Sequence, residues 1–439
     1  MTENYSLQLS KEIQNQMRED LTGVFKEMFP FDELQKHKTG KERDRIYNKE
    51  TTLLTMILTM VQEDKSLRNS VVLYSIIHEK GIQAIKEKQE EIIKENERRR
   101  LNKQVGRPLT KGSWVAKSKT KSVSLDTSGY SQARQRLSIE AVDLVYNEST
   151  GSSNIMQDFK WHGYRTFLTD CTYVQMQDSE KIREEFPKSN KDGYPRGLIE
   201  TIIEQGTGIV YDFRLSSNSR CELELMTEMI TDLPEDSLIL ADDLYNCFAI
   251  FSLLKSAGVE IIVPGKRNRS YNVLRAIDRG DEIVEIKQKT KSKWLGNREL
   301  EHKKLILRRI EYINPKTGKT EAIFTSLIHD EIGKEEIILK YRERWDIEVS
   351  IREMKTIMDI GILRAKTPQM AYKEVATAMI AYNYIRKIIA KITENSDFSP
   401  EEDIIQKYSE ISNPILVDRL GRKYSKWSPG RNGYNSIKD

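Results

Sequence analysis

Between residues 160 and 265 short apolar runs alternate with amphipathic ones, and this order narrows the available folds more than any other feature. Thr166–Val174, Gly197–Ile203 and Gly208–Arg214 read as strands, the last two joined by the turn Glu204-Gln205-Gly206-Thr207. Glu222–Ile230 reads as a helix. Ser237–Ala241 (Ser-Leu-Ile-Leu-Ala) is nearly all apolar, as a strand covered on both faces must be. A helix over Cys247–Ala257 and a strand over Val259–Val263, closed by Pro264-Gly265, complete the series.

Strand-strand-strand-helix-strand-helix-strand is the order of a ribonuclease H-like α/β core, and that is the fold class expected here. Residues 266–332 break the alternation. Glu282–Gln288, Lys304–Tyr312 and Glu321–Ser326 are β-rich, with turn signals at Asn314-Pro315 and Thr317-Gly318, so an all-β insertion is expected. A long helix over about 333–360, ending at Gly361, and an apolar helix over about 372–392 would close the core. Upstream, Leu53–Val61 carries an apolar stripe at helical spacing, and Val71–Ile77 begins a second helix after a break at Glu63–Lys65. This pair reads as a packed helical hairpin or as a helix-turn-helix that meets DNA. The expected organisation is therefore 1–125 as a helical, basic DNA-binding region with an arm, 126–265 as the first part of the core, 266–332 as the insertion, 333–395 as the closing helices, and 396–439 as a tail.

The 439 residues exceed one ordinary core, which agrees with several domains. Cys171, Cys221 and Cys247 are odd in number and form no CxxC pair, so neither a disulfide framework nor a structural zinc site is expected. No apolar run approaches the length of a membrane span, the opening residues lack the layout of a secretory leader, and the cysteine usage suits a reducing cytosol, so a cytoplasmic protein is expected. The net charge of +4 says little, but its distribution says more. From Arg98 to Lys121 there are nine Lys or Arg residues, no acidic ones, and Gly106, Pro108 and Gly112 between them. The last twenty or so residues are basic again, with Arg419, Arg422, Lys423, Lys426 and Arg431. Such stretches read either as solvated linkers or as arms that neutralise phosphates.

The most informative segment runs from Tyr341 through Arg344-Trp345-Asp346-Ile347-Glu348 to Lys355. On one continuous helix, at about 100° per residue, Tyr341, Arg344, Glu348 and Lys355 fall within about 60° of one another. A carboxylate would then share one stripe with a phenol, a guanidinium and an ammonium. Ile347, Ile351, Met354 and Met358 form an apolar stripe beside it, so the polar stripe borders the buried face. A salt-bridged surface helix would use the same spacings.

The spacing Y-x2-R-x3-E-x6-K resembles the signature of bacterial DDE transposases of the insertion sequence four family. Three further segments resemble the family in the right order. Phe167–Thr172 is similar to the strand that bears the first aspartate, Leu238–Tyr245 to the strand that bears the second, and Ser131–Leu137 to a stretch before the core. Ala322–Leu327 is similar to the strand that precedes the signature helix. Together the resemblance covers about residues 125–395. Cys171 stands where the family has glycine, and Asp243-Leu244 where it has Arg-Gly. Aligning Tyr245 with the family tyrosine selects Asp242 over Asp243; alternation along a strand means that only one of the two can point into the site, without saying which.

The resemblance implies a cut-and-paste transposase with Asp170, Asp242 and Glu348 as catalytic metal ligands. Two Mg²⁺ ions, which Mn²⁺ can replace, would sit about 3.5–4 Å apart, and hard cations of this kind take carboxylate oxygens. Tyr341, Arg344 and Lys355 would contact DNA. The expected partners are double-stranded DNA (the terminal inverted repeats and the target) and a second copy of the chain in a synaptic homodimer. A hairpin intermediate is part of the implied route, and Trp294 in the insertion is the candidate to stabilise a flipped base. Trp345 is expected in the core. Competing readings are a metal-dependent nuclease without strand transfer and a DNA-binding remnant without catalysis.

Overall fold

The computed structural model describes residues 23–37, 46–77, 126–151, 160–188, 193–266, 269–289, 293–315 and 317–394. The expected basic arm at 101–125, the helical run at Lys86–Arg100 and the tail at 396–439 lie outside these residues. By internal contacts the chain divides into Phe29–Ala390 and a second unit of Met1–Met28 with Lys391–Asp439. In the second unit the described residues are two helical pieces, 23–28 and 391–394. All that follows concerns the first unit.

Its frame is one mixed sheet of nine strands in the order β3-β2-β1-β4-β5-β9-β8-β7-β6. Strands β1 (Arg165–Gln175), β2 (Arg196–Glu204) and β3 (Val210–Ser217) form an antiparallel meander. Gly206 and Gly208 take positive φ in the expected β2–β3 turn, a conformation that is cheap only for glycine. β4 (Ser237–Leu240) then pairs with β1 in parallel, and β5 (Glu260–Pro264) with β4 in parallel. All four residues of β4 are buried, as their apolar composition requires.

The β-rich segment does not form a sheet of its own. β9 (Thr320–Thr325) bonds antiparallel to β5, and β8 (Lys304–Ile313), β7 (Asp281–Lys287) and β6 (Asn272–Asp278) continue the same sheet outward. The edge strand β6 is almost wholly exposed, so no apolar alternation marks it in the sequence.

Helices α1 (Phe31–Lys36), α2 (Lys49–Met60) and α3 (Leu67–Ile77) precede the sheet, with α4 (Thr127–Arg136) and α5 (Ile139–Thr150). Asn48 caps α2 by accepting from the Thr51 amide, and Ser138 caps α5 by accepting from Ala141. A short α6 (Glu180–Glu185) follows β1. α7 (Glu222–Met229) and α8 (Phe248–Ser256) bury Met226, Ile250 and Phe251 in one cluster with Phe167, Ile202 and Ile239 of the sheet. No helix among the described residues is long and apolar enough to cross a membrane.

The long helix expected over 333–360 is broken. α9 (Lys334–Arg342) passes into a 3₁₀ turn at Glu343–Trp345 before α10 (Asp346–Thr356) begins. Contacts with the β2–β3 turn account for the break. Buried Lys340 donates to Gln205 Oε1 at 2.5 Å and pairs with Glu343 at 2.8 Å, and Gln205 Nε2 donates to Glu343 at 2.6 Å. Trp345, expected in the core, lies on that turn and is 56% exposed. α10 packs on β1, and α11 (Pro368–Glu394) is tied to α10 by Tyr382 donating to Glu353 at 2.9 Å. Asn383 of α11 bonds both the amide and the carbonyl of Val210 at the start of β3.

One buried ion pair sets where α9 starts. Arg308 on β8 and Asp281 on β7 are each 2% exposed and bond twice, at 2.8 and 2.6 Å. The same guanidinium donates to the carbonyls of His329 and Ile332, just ahead of α9. Removing one partner strands a buried charge and frees that loop. We expect Asp281→Ala to destabilise the fold by about 3–5 kcal/mol, read as a lower urea midpoint at unchanged slope. A loss below 1 kcal/mol would show that water reaches the guanidinium.

Candidate active site

The parallel register of β1 and β4 runs Arg165↔Ser237 to Leu168↔Leu240, an offset of 72 residues throughout. Carried two residues past the end of β4, the same offset sets Asp242 level with Asp170. The two carboxylates are close enough for the charge of Asp242 to act on Asp170. Asp242 is half-buried and Asp243 exposed. The chain turns here because Asp242 caps a 3₁₀ turn at Asp243–Tyr245, its Oδ1 accepting from the Leu244 amide at 2.8 Å.

Asp170 lies in the middle of β1, with Oδ1 accepting from the Cys171 amide at 2.8 Å. Burial pushes its carboxyl above the usual range, and the charges of Asp242 and Glu348 push it further, against the pull of that amide and of Arg344. Three acids separated by 72 and 106 residues in sequence therefore act on one another. A fourth joins them. Glu222, first residue of α7, is pushed up by burial and by Asp170 and Asp242. Nothing in the sequence pattern singled out Glu222.

Glu348 sits on α10, where Arg344 Nη2 pairs with its Oε1 at 3.1 Å. Tyr341 precedes the break and Glu348 follows it, so they do not share one straight helix. They still meet through Arg344, which interacts with both. Burial raises the Tyr341 hydroxyl to about 12, although the nearby Arg344 pulls it down. On Arg344, burial is outweighed by Tyr341, Glu348 and Asp170, so the guanidinium stays charged. Lys355 is half-buried on α10, two turns beyond Glu348 and on the same side.

Carboxylate oxygens are the right donors for a hard divalent cation, and the mutual repulsion at Asp170 is what such a cation would relieve. As they stand, no three Asp, Glu, His or Cys side chains among the described residues are grouped to hold an ion. Glu348 is turned instead to Arg344.

The remaining candidates are placed elsewhere. Trp294 is half-buried in the 3₁₀ turn Lys293–Leu295, packed with Ala249, Leu295 and Leu300, which gives it a structural task. Ser131–Arg136 lies on α4, and Arg134 lines a cavity of about 420 Å³ with Lys65, Arg364 and Lys366. The three cysteines form no disulfide.

Behind the acids, on the other face of the sheet, lies Glu200 of β2, which sequence reasoning did not find. Its Oε1 accepts from Thr169 at 2.6 Å and from Tyr245 at 2.7 Å, and its Oε2 from the Cys171 thiol. Burial pushes this carboxyl up to about 7, against the three donors that pull it down.

Residues 161–384, half of the chain, match the family described as transposase DDE domain. The chain is 25% identical over 277 residues to the transposase InsG of insertion sequence element IS4 from Escherichia coli. That alignment covers 60% of this chain and 61% of the relative, so the chain spans less than two thirds of the relative's length. A transposase of insertion sequence element IS421 from Escherichia coli is 33% identical over 78 residues, covering 18% of this chain and 20% of that one. A solved piggyBac transposase synaptic complex with hairpin DNA gives a TM-score of 0.37 at 11% identity, covering 91% of this chain and 82% of that chain. This likeness is too low to define a shared fold.

The raised carboxyl of Glu200 has a definite sign. Below the unfolded value both states are protonated and no penalty exists. As pH rises past it the unfolded chain ionises first, so stability falls until about pH 7 and then levels. Gln at this position keeps the shape: its carbonyl accepts from Thr169 and Tyr245, and its amide faces the thiol. We expect Glu200→Gln to remove this part of the slope, read as unfolding free energies of both proteins between pH 5 and 8. Parallel curves would place ionised Glu200 at no cost in the fold.

Proposed function

The chain belongs to the transposase DDE domain family, and from that premise we propose that it is a DNA transposase that moves an insertion sequence by cutting it out and rejoining it elsewhere. The observation that supports the proposal is that Asp170 feels the charges of Asp242, Glu348 and Arg344, with Arg344 paired to Glu348. The strand order around β1 and β4 supports a ribonuclease H-like core, continued by the β-rich segment 266–332.

Asp170, Asp242 and Glu348 would hold two Mg²⁺ ions, or Mn²⁺ in their place. Bound there, the ions would activate the attacking oxygen and stabilise the leaving one during in-line displacement at phosphorus. The chain's own groups have three tasks. The strand frame fixes the two aspartates, so that only Glu348 must move to complete the set. Arg344 neutralises Glu348 until DNA and metal arrive, and its forked donors then suit a phosphate flanking the cut. Lys355 supplies a point charge to the same backbone, and Tyr341 a hydroxyl held by Arg344.

In this reading residues 1–125 recognise the terminal inverted repeats. A homodimer brings two ends together before a 3′-hydroxyl attacks the target, and excision passes through a hairpin. The protein acts in the cytoplasm on the bacterial nucleoid.

The test is incubation of the purified chain with linear DNA that carries the gene's own flanking ends, beside Glu348→Gln and Asp170→Asn. We expect Mg²⁺-dependent release and joining of the ends. Either substitution should lower it by at least about a hundredfold, with end binding retained. Cutting without joining would favour a nuclease. Equal binding with no cutting by any of the three proteins would favour a DNA-binding remnant.

A further inference from the structure

Glu200 has 0% exposure. Its hydrogen-bond partners are a hydroxyl, a phenol and a thiol, all neutral. A buried carboxylate without a cationic partner is expensive, and an apolar side chain of similar size would avoid that cost. What the carboxylate does is specific to its place. Thr169 and Cys171, which flank Asp170 on β1, both bond it. Tyr245, the third donor, closes the 3₁₀ turn that Asp242 caps. Glu200 is also the register partner of Cys171.

We infer that Glu200 is a positioning residue: its carboxylate clamps the β1 segment around Asp170 to the turn after Asp242, so that both aspartates face one cation. The clamp works from the far side of the sheet. Drawing Thr169 and Cys171 toward Glu200 leaves Asp170 the opposite face, because side chains alternate along the strand. Holding Tyr245 three residues after Asp242 limits how far that turn can drift from β1. β4 ends at Leu240; beyond it Ala241 donates to Ile262 and Asn246 to Pro264, which tie the turn to β5, while Tyr245 ties it to Glu200 of β2. Groups that orient a metal's ligands typically change metal affinity by 10–100-fold when lost. The inference rests on the metal-dependent reading of Asp170, Asp242 and Glu348 given above.

Tyr245→Phe cuts the clamp with the loss of one oxygen, and Glu200→Leu removes all three bonds. Glu200→Gln keeps the acceptor for Thr169 and Tyr245 and serves as the conservative rescue. Two quantities would be read on the full chain. One is Mn²⁺ binding, followed as loss of the free-ion electron paramagnetic resonance signal, with Asp170→Asn as the control. The other is the Mg²⁺ concentration for half-maximal cleavage of the DNA ends. We expect Tyr245→Phe and Glu200→Leu to weaken both by about tenfold, and Glu200→Gln to stay within about threefold of wild type. Far-ultraviolet circular dichroism and end binding should stay normal. If Glu200→Leu fails to fold, Tyr245→Phe decides. An Mn²⁺ site lost in Asp170→Asn but unchanged in Tyr245→Phe would overturn the clamp alone. Mn²⁺ binding that Asp170→Asn leaves intact would overturn the metal reading, and the clamp with it. The Mn²⁺ measurement decides even if the wild type cuts no DNA.

Discussion

The parallel pairing of β1 with β4 is the constraint on which the rest of the site depends. It consists of four residue pairs, yet it decides which face each later residue meets. β4 is apolar throughout because helices and sheet neighbours cover it on both sides, and a strand so enclosed cannot carry a charge in its middle. The first acid must therefore wait until the chain leaves the sheet. β1 is longer and continues past that point, so it meets the exit with a polar residue of its own. Two carboxylates come level where one strand ends and its neighbour runs on. The helices, the sheet extension and the cation at Arg344 are arranged around that coincidence.

The arrangement gathers like charges, and the fold limits the resulting cost in two ways. Toward the open face, Arg344 is shared among Tyr341, Glu348 and Asp170, which leaves the acids partly neutralised without sealing them in. Toward the closed face, Glu200 is surrounded by neutral donors, which stabilise its charge but supply none to offset it. Burial raises the Cys171 thiol and the Tyr245 hydroxyl, and the charge of Glu200 pushes both further up. Charge balance thus lies on one side of the sheet, at Arg344, and hydrogen-bond satisfaction on the other, at Glu200.

What was legible in the sequence was whatever local pattern fixes. Apolar runs located β1 to β5 and β7 to β9 within a few residues, and the family resemblance pointed to Asp170, Asp242 and Glu348, whose charges act on one another in the fold. What escaped was set by distant partners. The break at Glu343–Trp345 depends on Gln205, more than a hundred residues upstream, so periodicity alone ran one helix through it and placed Trp345 inside. β6 escaped because an exposed edge strand need not alternate. The β-rich segment was recognisable as strands but not as part of the central sheet, since only the pairing of β9 with β5 decides that. Glu200 reads as one polar residue inside an apolar strand. Its meaning appears only when Thr169, Cys171 and Tyr245 are beside it.

The break between α9 and α10 has a mechanical consequence for Glu348. Had the segment been one helix, Arg344 and Glu348 would move together and their pairing would be fixed by helical spacing alone. Arg344 lies within the 3₁₀ turn, next to Glu343 and Lys340, which are tied to Gln205 of the β2–β3 turn, while Glu348 belongs to the helix packed on β1. Glu348 is thus held by an ion pair between the 3₁₀ turn and α10. Such a pair is partly exposed, with 19% and 36% of its side chains reached by solvent, so its strength is modest.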